Sequence, residues 1–130
     1  MNRPDGARFS KSHEWAVLKG DQLTLGITDF AVEHLGDIVF VDLPEAGRDV
    51  SAGDTVCEIE SVKAVGEVYA PVSGTVTEVN RGLADDPAAL ASDPFGKGWL
   101  VRMRVGDASG YAALMDRASY EKHLETAGPG

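Results

Sequence analysis

The sequence holds a single cysteine, Cys57, in 130 residues. An internal disulfide and a cysteine-based zinc cluster are therefore excluded. Cys57 lies in an alternating apolar stretch, which marks it as a buried, inert thiol, and no histidine follows at a Cys–His spacing. No apolar run approaches the roughly 18 residues that a membrane-spanning helix needs. Cations are scarce: 12 Lys and Arg stand against 21 Asp and Glu, a net charge of −9. A protein that binds nucleic acid needs a basic stripe to displace counterions from phosphate, so nucleic acid is excluded as a partner, and an anionic membrane surface is disfavoured. The charge fits a freely diffusing protein steered toward basic partner surfaces, with attraction that weakens in salt. The segment from Met1 to Gly6 has no apolar core, so no secretory signal is expected. A cytoplasmic location follows, or the mitochondrial matrix if a leader has been removed.

What is present organises around one lysine. Between Asp21 and Asn80 there are twelve acidic residues and only two cations, Arg48 and Lys63. Lys63 stands between two runs of alternating apolar residues, Thr55 to Glu60 and Val65 to Ala70, which read as half-buried strands. Ser61 to Ala64 make the turn. The lysine is thus expected at a hairpin tip, in water, within an acidic field. On position alone a solubilising, edge-protecting lysine explains it as well.

The length and the 43% apolar content allow one core. A single domain over 1–130 is expected, with a β core over about 7–106 and a helical tail over about 107–127. Phe9 to Leu18 reads as a strand, followed by a turn at Gly20-Asp21 and a strand from Gln22 to Ile27. Thr28 caps a short helix that stops at Gly36. Asp37 to Leu43 is a strand rich in β-branched and aromatic residues. Thr75 to Val79 is another, and Gly74 to Val79 echoes Gly36 to Val41. Asp86-Pro87 signals a helix start with Asp86 as N-cap. Trp99 to Val105 alternates as a last strand, and Tyr111 to Leu124 is helical, with a second helix capped near Asp116. The fold class is mainly β: a small sandwich or flattened barrel with pseudo-twofold symmetry and short helices.

The lysine hairpin, its turn glycines and the echo resemble the lipoyl/biotinyl domain of the hammerhead type. A closer resemblance rests on His13-Glu14-Trp15, Gly26-Ile27-Thr28, Leu35-Gly36-Asp37-Ile38-Val39, Leu43-Pro44, Glu60-Ser61-Val62-Lys63-Ala64, Pro71-Val72-Ser73-Gly74 and Gly98-Trp99. On these motifs the chain is similar to the H protein family of the glycine cleavage system, over nearly its whole length. Biotinyl domains place methionine on both sides of their lysine, where this chain has Val62 and Ala64. The resemblance implies a carrier without catalytic residues, bearing lipoic acid in amide linkage on Lys63. It implies transfer of an aminomethyl unit from a pyridoxal-phosphate glycine decarboxylase to a tetrahydrofolate-dependent aminomethyltransferase. A flavin (FAD) dihydrolipoyl dehydrogenase then reoxidises the dithiol. The role is glycine catabolism and one-carbon supply by a monomeric protein that a lipoyl or octanoyl transferase, or a lipoate ligase, modifies.

The family folds its loaded arm into a surface groove, and a cationic amine there needs acceptors. Ser12, Glu14 and Glu67 are the candidates, with His34 beside the dithiolane. Glu67 stands where the family often has aspartate. Glu60 and Glu67 flank the tip and either guide the modifying enzyme or solvate the hairpin. No metal ligand set is expected. A lipoate relay on the same fold is the alternative carrier. A hydrolase built on Glu14, His34 or Asp37 is the alternative of another class, and no nucleophile–base–orienter spacing supports it.

Overall fold

In the computed structural model, residues 3–4 and 6–127 are described. In chain order the elements are β1 (Arg8–Phe9), β2 (Glu14–Lys19), β3 (Gln22–Ile27), α1 (Asp29–Leu35), β4 (Ile38–Asp42), β5 (Asp49–Val50), β6 (Thr55–Ser61) and β7 (Val65–Tyr69). β8 (Gly74–Val79), α2 (Gly82–Asp85), α3 (Ala88–Ser92), β9 (Val101–Arg104), α4 (Ser109–Ala112) and α5 (Arg117–Ala127) follow. The strands form a six-stranded sheet in the order β1-β2-β3-β9-β8-β5 and a three-stranded sheet in the order β4-β6-β7, antiparallel throughout. This is the expected flattened sandwich rather than a closed barrel.

The main core lies between the sheets. Leu23, Leu25, Val76, Val101 and Met103 face it from the large sheet, and Val41, Val56, Ile59 and Val68 from the small one. Each such side chain contributes roughly 1.5–3 kcal/mol by leaving water. That burial clamps the lysine hairpin at its root while its tip stays outside. A β-bulge between Thr55 and Cys57 turns both Val56 and Cys57 inward, which breaks the strict alternation of β6. Burial pushes the Cys57 thiol up to about 12, followed by repulsion from Glu14, Asp42 and Glu58, so it stays protonated. A second, smaller core of Ala7, Phe9, Trp15 and Tyr120 forms where α5 packs against β1.

The structure corrects several sequence expectations. Phe9 to Leu18 is not one strand: the chain turns at Ser10 to His13, and Phe9 pairs back onto Trp15. Both therefore point into the second core, an arrangement that periodicity alone mistakes for continuous alternation. The last regular strand is only Val101–Arg104, although Leu100 N–H still donates to Leu25 O. Asp86 makes no side-chain cap; Ala88–Ser92 follows Pro87, and Ala89 N–H donates to the Asp86 carbonyl. β5 and α2 were not anticipated. Thr28 does cap α1, accepting from Ala31 N–H, and Asp116 caps α5 through Ser119 N–H.

The echo puts β4 in one sheet and β8 in the other, but its glycines differ in reason. Gly36 ends α1 at φ +80°, a conformation that disfavours any Cβ. Gly74 is needed because a Cβ would meet Arg104 O at 2.6 Å.

Candidate functional site: the lysine turn and the groove beside it

Lys63 is exposed at the tip between β6 and β7. Ser61 builds the turn. Its backbone N–H donates to Ala64 O at 2.8 Å, and its hydroxyl accepts from Ala64 N–H at 3.0 Å and Lys63 N–H at 3.3 Å. This side-chain turn fixes the backbone without covering the lysine. Val62 N–H donates to Asp37 O at 3.0 Å, which ties the tip to the end of α1. The lysine stem leans toward that end: Cε lies 3.5 Å from where a Cβ on Gly36 would stand.

Beside the tip, between α1 and β7, is a cavity of about 170 Å³ lined by His13, Ile27, Ala31, His34, Leu35, Gly66, Glu67 and Val68. Its walls are mostly aliphatic. Gly66 leaves room for Leu35, whose Cδ2 would be 2.9 Å from a Cβ at that position.

The four sequence candidates divide. His34 and Glu67 line the groove and are exposed. Glu67 also accepts from Tyr69 Oη at 2.8 Å, a bond that raises the Tyr69 pKa. Glu14 is not at the surface: it is 2% exposed. Its carboxylate accepts from the Ser10 and Ser12 hydroxyls on one oxygen and from Tyr69 N–H, at 3.2 Å, on the other. Ser12 thus meets Glu14 rather than the groove lining, and Tyr69 N–H joins this group to β7. Glu60 is exposed on β6, facing away from the core. Asp37 is exposed, and its carbonyl accepts from Val62 N–H in the turn.

Sequence reasoning missed His13 as a groove residue. It adopts φ +73°, unusual for a residue with a side chain. Its Nδ1 lies 2.8 Å from Tyr120 Oη, which also meets Thr28 Oγ1 at 2.7 Å. Its ring packs on Phe30 at 4.5 Å and lies 5.9 Å from His123. Burial, then the neighbouring His123 and His34, lowers its pKa. A positive φ leaves no trace in the hydrophobic pattern, so its groove position was not legible. Among the described residues no group of His, Cys, Asp or Glu is arranged to hold a metal ion, and no helix is long and apolar enough to cross a membrane.

The comparisons with known proteins meet this geometry. A model of the glycine cleavage H-protein family matches residues 7–127. A glycine cleavage system H protein from Parvibaculum lavamentivorans is 48% identical over 119 residues, covering 92% of this chain and 95% of its own. One from Acaryochloris marina is 46% identical over 122 residues, covering 94% and 95%. The crystal structure of a glycine cleavage system H protein from Mycobacterium marinum superposes with a TM-score of 0.81 at 41% identity, covering 94% of this chain and 100% of that one. With a family match over nearly its whole length and relatives of this identity, the chain belongs to the glycine cleavage H-protein family.

Proposed function

We propose that this protein is the lipoyl-lysine carrier of a glycine cleavage system, with lipoic acid in amide linkage on Lys63. The observation that carries the reading is an exposed lysine, on a turn fixed by its own serine, beside an aliphatic groove. The site fits the group. Lys63 is free to be acylated, Gly36 gives its stem a surface without a side chain, and Ile27, Ala31, Leu35 and Val68 suit a hydrocarbon and sulfur arm. When bound, the lipoyl group supplies a disulfide that accepts an aminomethyl unit and is afterwards a dithiol to be reoxidised.

The chain's own residues attach, position and shelter. The amide removes the Lys63 charge, so the arm root no longer resists an apolar surface. The clamped hairpin keeps that root at a fixed point, which holds the arm at high effective concentration in each docked partner. His34 and Glu67 give the groove polar ends, and the exposed Glu67 carboxylate is the acceptor placed there for a cationic amine, while Ser12 and Glu14 bond to each other outside the lining. Catalysis resides in the partners: glycine decarboxylase with pyridoxal phosphate, aminomethyltransferase with tetrahydrofolate, and dihydrolipoyl dehydrogenase with FAD. A lipoyl or octanoyl transferase, or a lipoate ligase, attaches the group, with Glu60 and Glu67 at the tip for it to read. The protein works as a single-domain monomer in the cytoplasm.

The test is intact mass with peptide mapping on protein from its own host, followed by reconstitution with glycine decarboxylase. A lipoyl-sized addition confined to the Lys63 peptide, and aminomethyl loading that Lys63→Ala abolishes, are expected. An unmodified Lys63 in a lipoate-replete host refutes the reading. A lipoylated protein that glycine decarboxylase ignores points instead to a lipoate relay.

A further inference from the structure

Every large apolar side chain that stands out in water among the described residues sits on or beside the lysine hairpin. Val62 is 75% exposed, Val65 57%, Val39 54% and Phe40 46%. The strand register explains how they group. Phe40, Glu60 and Val65 stand abreast across β4, β6 and β7, as do Asp42, Glu58 and Glu67. Directly opposed residues share a face, so the outer face of the small sheet has two rows. An apolar row, extended by Val62 and Val39, collars the tip. Behind it lies a row of three carboxylates, with Glu60 between them and the tip.

This face works against the stability of the free protein. Like charges directly opposed on neighbouring strands repel. Among the described residues, none of Asp42, Glu58, Glu60 and Glu67 forms an ion pair. Lys63 is the sole cation in the sequence between Arg48 and Arg81. An exposed apolar cluster backed by carboxylates that no cation neutralises is a surface awaiting a complementary one.

We propose that the collar Val39, Phe40, Val62 and Val65, with the acidic row Asp42, Glu58 and Glu67, is the docking surface for the enzyme that acylates Lys63. The proposal rests on Lys63 being the attachment point. Its partner is identified by chemistry: an apolar seat that receives the tip, ringed by lysines and arginines. Geometry singles out the acylating enzyme. Partners visited later meet the far end of a long arm, whereas the acylating enzyme must bring an activated acyl carbon to Nζ itself. It cannot do so without covering Val62 and Val65. A second copy of the chain is disfavoured because its matching face is equally acidic, and an anionic membrane is disfavoured by the same repulsion.

The test measures initial rates of Lys63 acylation by a purified lipoate ligase with ATP and lipoate, followed by intact mass at varied carrier concentration. Wild type is compared with Val62→Ser/Val65→Thr, Phe40→Ser and Asp42→Asn/Glu58→Gln, at about 50 and about 300 mM salt. Labelling of Lys63 by a small activated ester, and thermal unfolding, are followed in parallel. The apolar variants are expected to raise KM about tenfold or more, with kcat within about twofold, which removes docking and not chemistry. The charge variant is expected to flatten the salt dependence. Ester labelling stays unchanged, and unfolding shifts little for Val62→Ser/Val65→Thr, at 75% and 57% exposure; Phe40 is 46% exposed, so its variant is judged by KM against kcat and not by unfolding. Acylation within about twofold of wild type for all variants at both salts overturns the docking surface. A wild-type Lys63 that the ester labels but the ligase never acylates overturns the attachment reading beneath it.

Discussion

Glu14 offers a sharp test of how the site is built, because its two oxygens meet donors of different kinds. One oxygen accepts from the Ser10 and Ser12 hydroxyls, the other from Tyr69 N–H. A hydroxyl turns and becomes an acceptor, whereas a backbone N–H only donates. In Glu14→Gln the amide oxygen can face Tyr69 N–H while its NH2 faces the serines, which rotate to accept. That substitution is expected to cost less than about 1 kcal/mol. In Glu14→Ala nothing replaces the acceptor. Ser12 is exposed and recovers water, and Ser10 still accepts from the backbone N–H of residue 14 at 3.0 Å. The loss is then an N–H left without a partner plus part of one charge-assisted hydroxyl bond, about 2–4 kcal/mol in all. For a chain of this length that corresponds to a fall in Tm of about 10 °C. Urea unfolding of wild type and both variants, with equal m-values, measures the difference. Equal losses for Gln and Ala would mean that the charge itself, and not the donor geometry, holds the loop. Losses below about 0.5 kcal/mol for both would refute the buried network.

Two further outcomes follow from the groove. The lowered pKa of His13 means that the unfolded chain takes up a proton at a pH where the folded one does not. Stability is therefore full above about pH 6.5 and falls as the pH drops below it. Melting at about pH 7.5 and about pH 5.5 checks this, and His13→Asn, which tolerates the positive φ, should reduce the pH-dependent part of the loss. Gly66→Ala places a methyl 2.9 Å from Leu35 Cδ2. The end of a leucine side chain can swing away, so the stability cost is expected to stay within about 1 kcal/mol, but the swing narrows the groove. On the carrier reading, loaded protein should then lose its aminomethyl group to water faster. A large fall in Tm, or unchanged release, would count against it.

The lysine hairpin was legible because everything that makes it is local. Two short alternating runs, a four-residue gap and a serine at the first turn position fix the tip before any tertiary contact forms. α1 was equally clear, since Thr28 and Gly36 mark both ends with side-chain and backbone chemistry. What the pattern could not convey is contact between distant segments. The reversal at Ser10 to His13 depends on Phe9 and Trp15 both being claimed by a core that Tyr120 completes from the other end of the chain. Glu14 reads as a surface acid because its donors are two hydroxyls and an N–H whose arrival the sequence does not announce. β5 is two residues long and exists only by pairing with β8. The exposed lysine turn was thus legible from local sequence, and the surroundings that long-range packing assembles were not.

The short link from Leu35 to Asp37 explains why the tip and the groove behave as one device. Leu35 fills the space that Gly66 leaves on β7 and so forms a groove wall. Gly36, at φ +80°, ends α1 and presents a bare backbone to the lysine stem. The Asp37 carbonyl accepts from Val62 N–H and pins the turn. Three consecutive residues therefore set the groove width, the route of the lysine stem and the position of the tip. A displacement of α1 would disturb all three together, because the hairpin that carries Lys63 is held by the sheet core and does not follow the helix. On the carrier reading, a long arm tolerates such a shift at its free end, where it has many rotatable bonds, but not at the root, where an error in direction is amplified along its whole length.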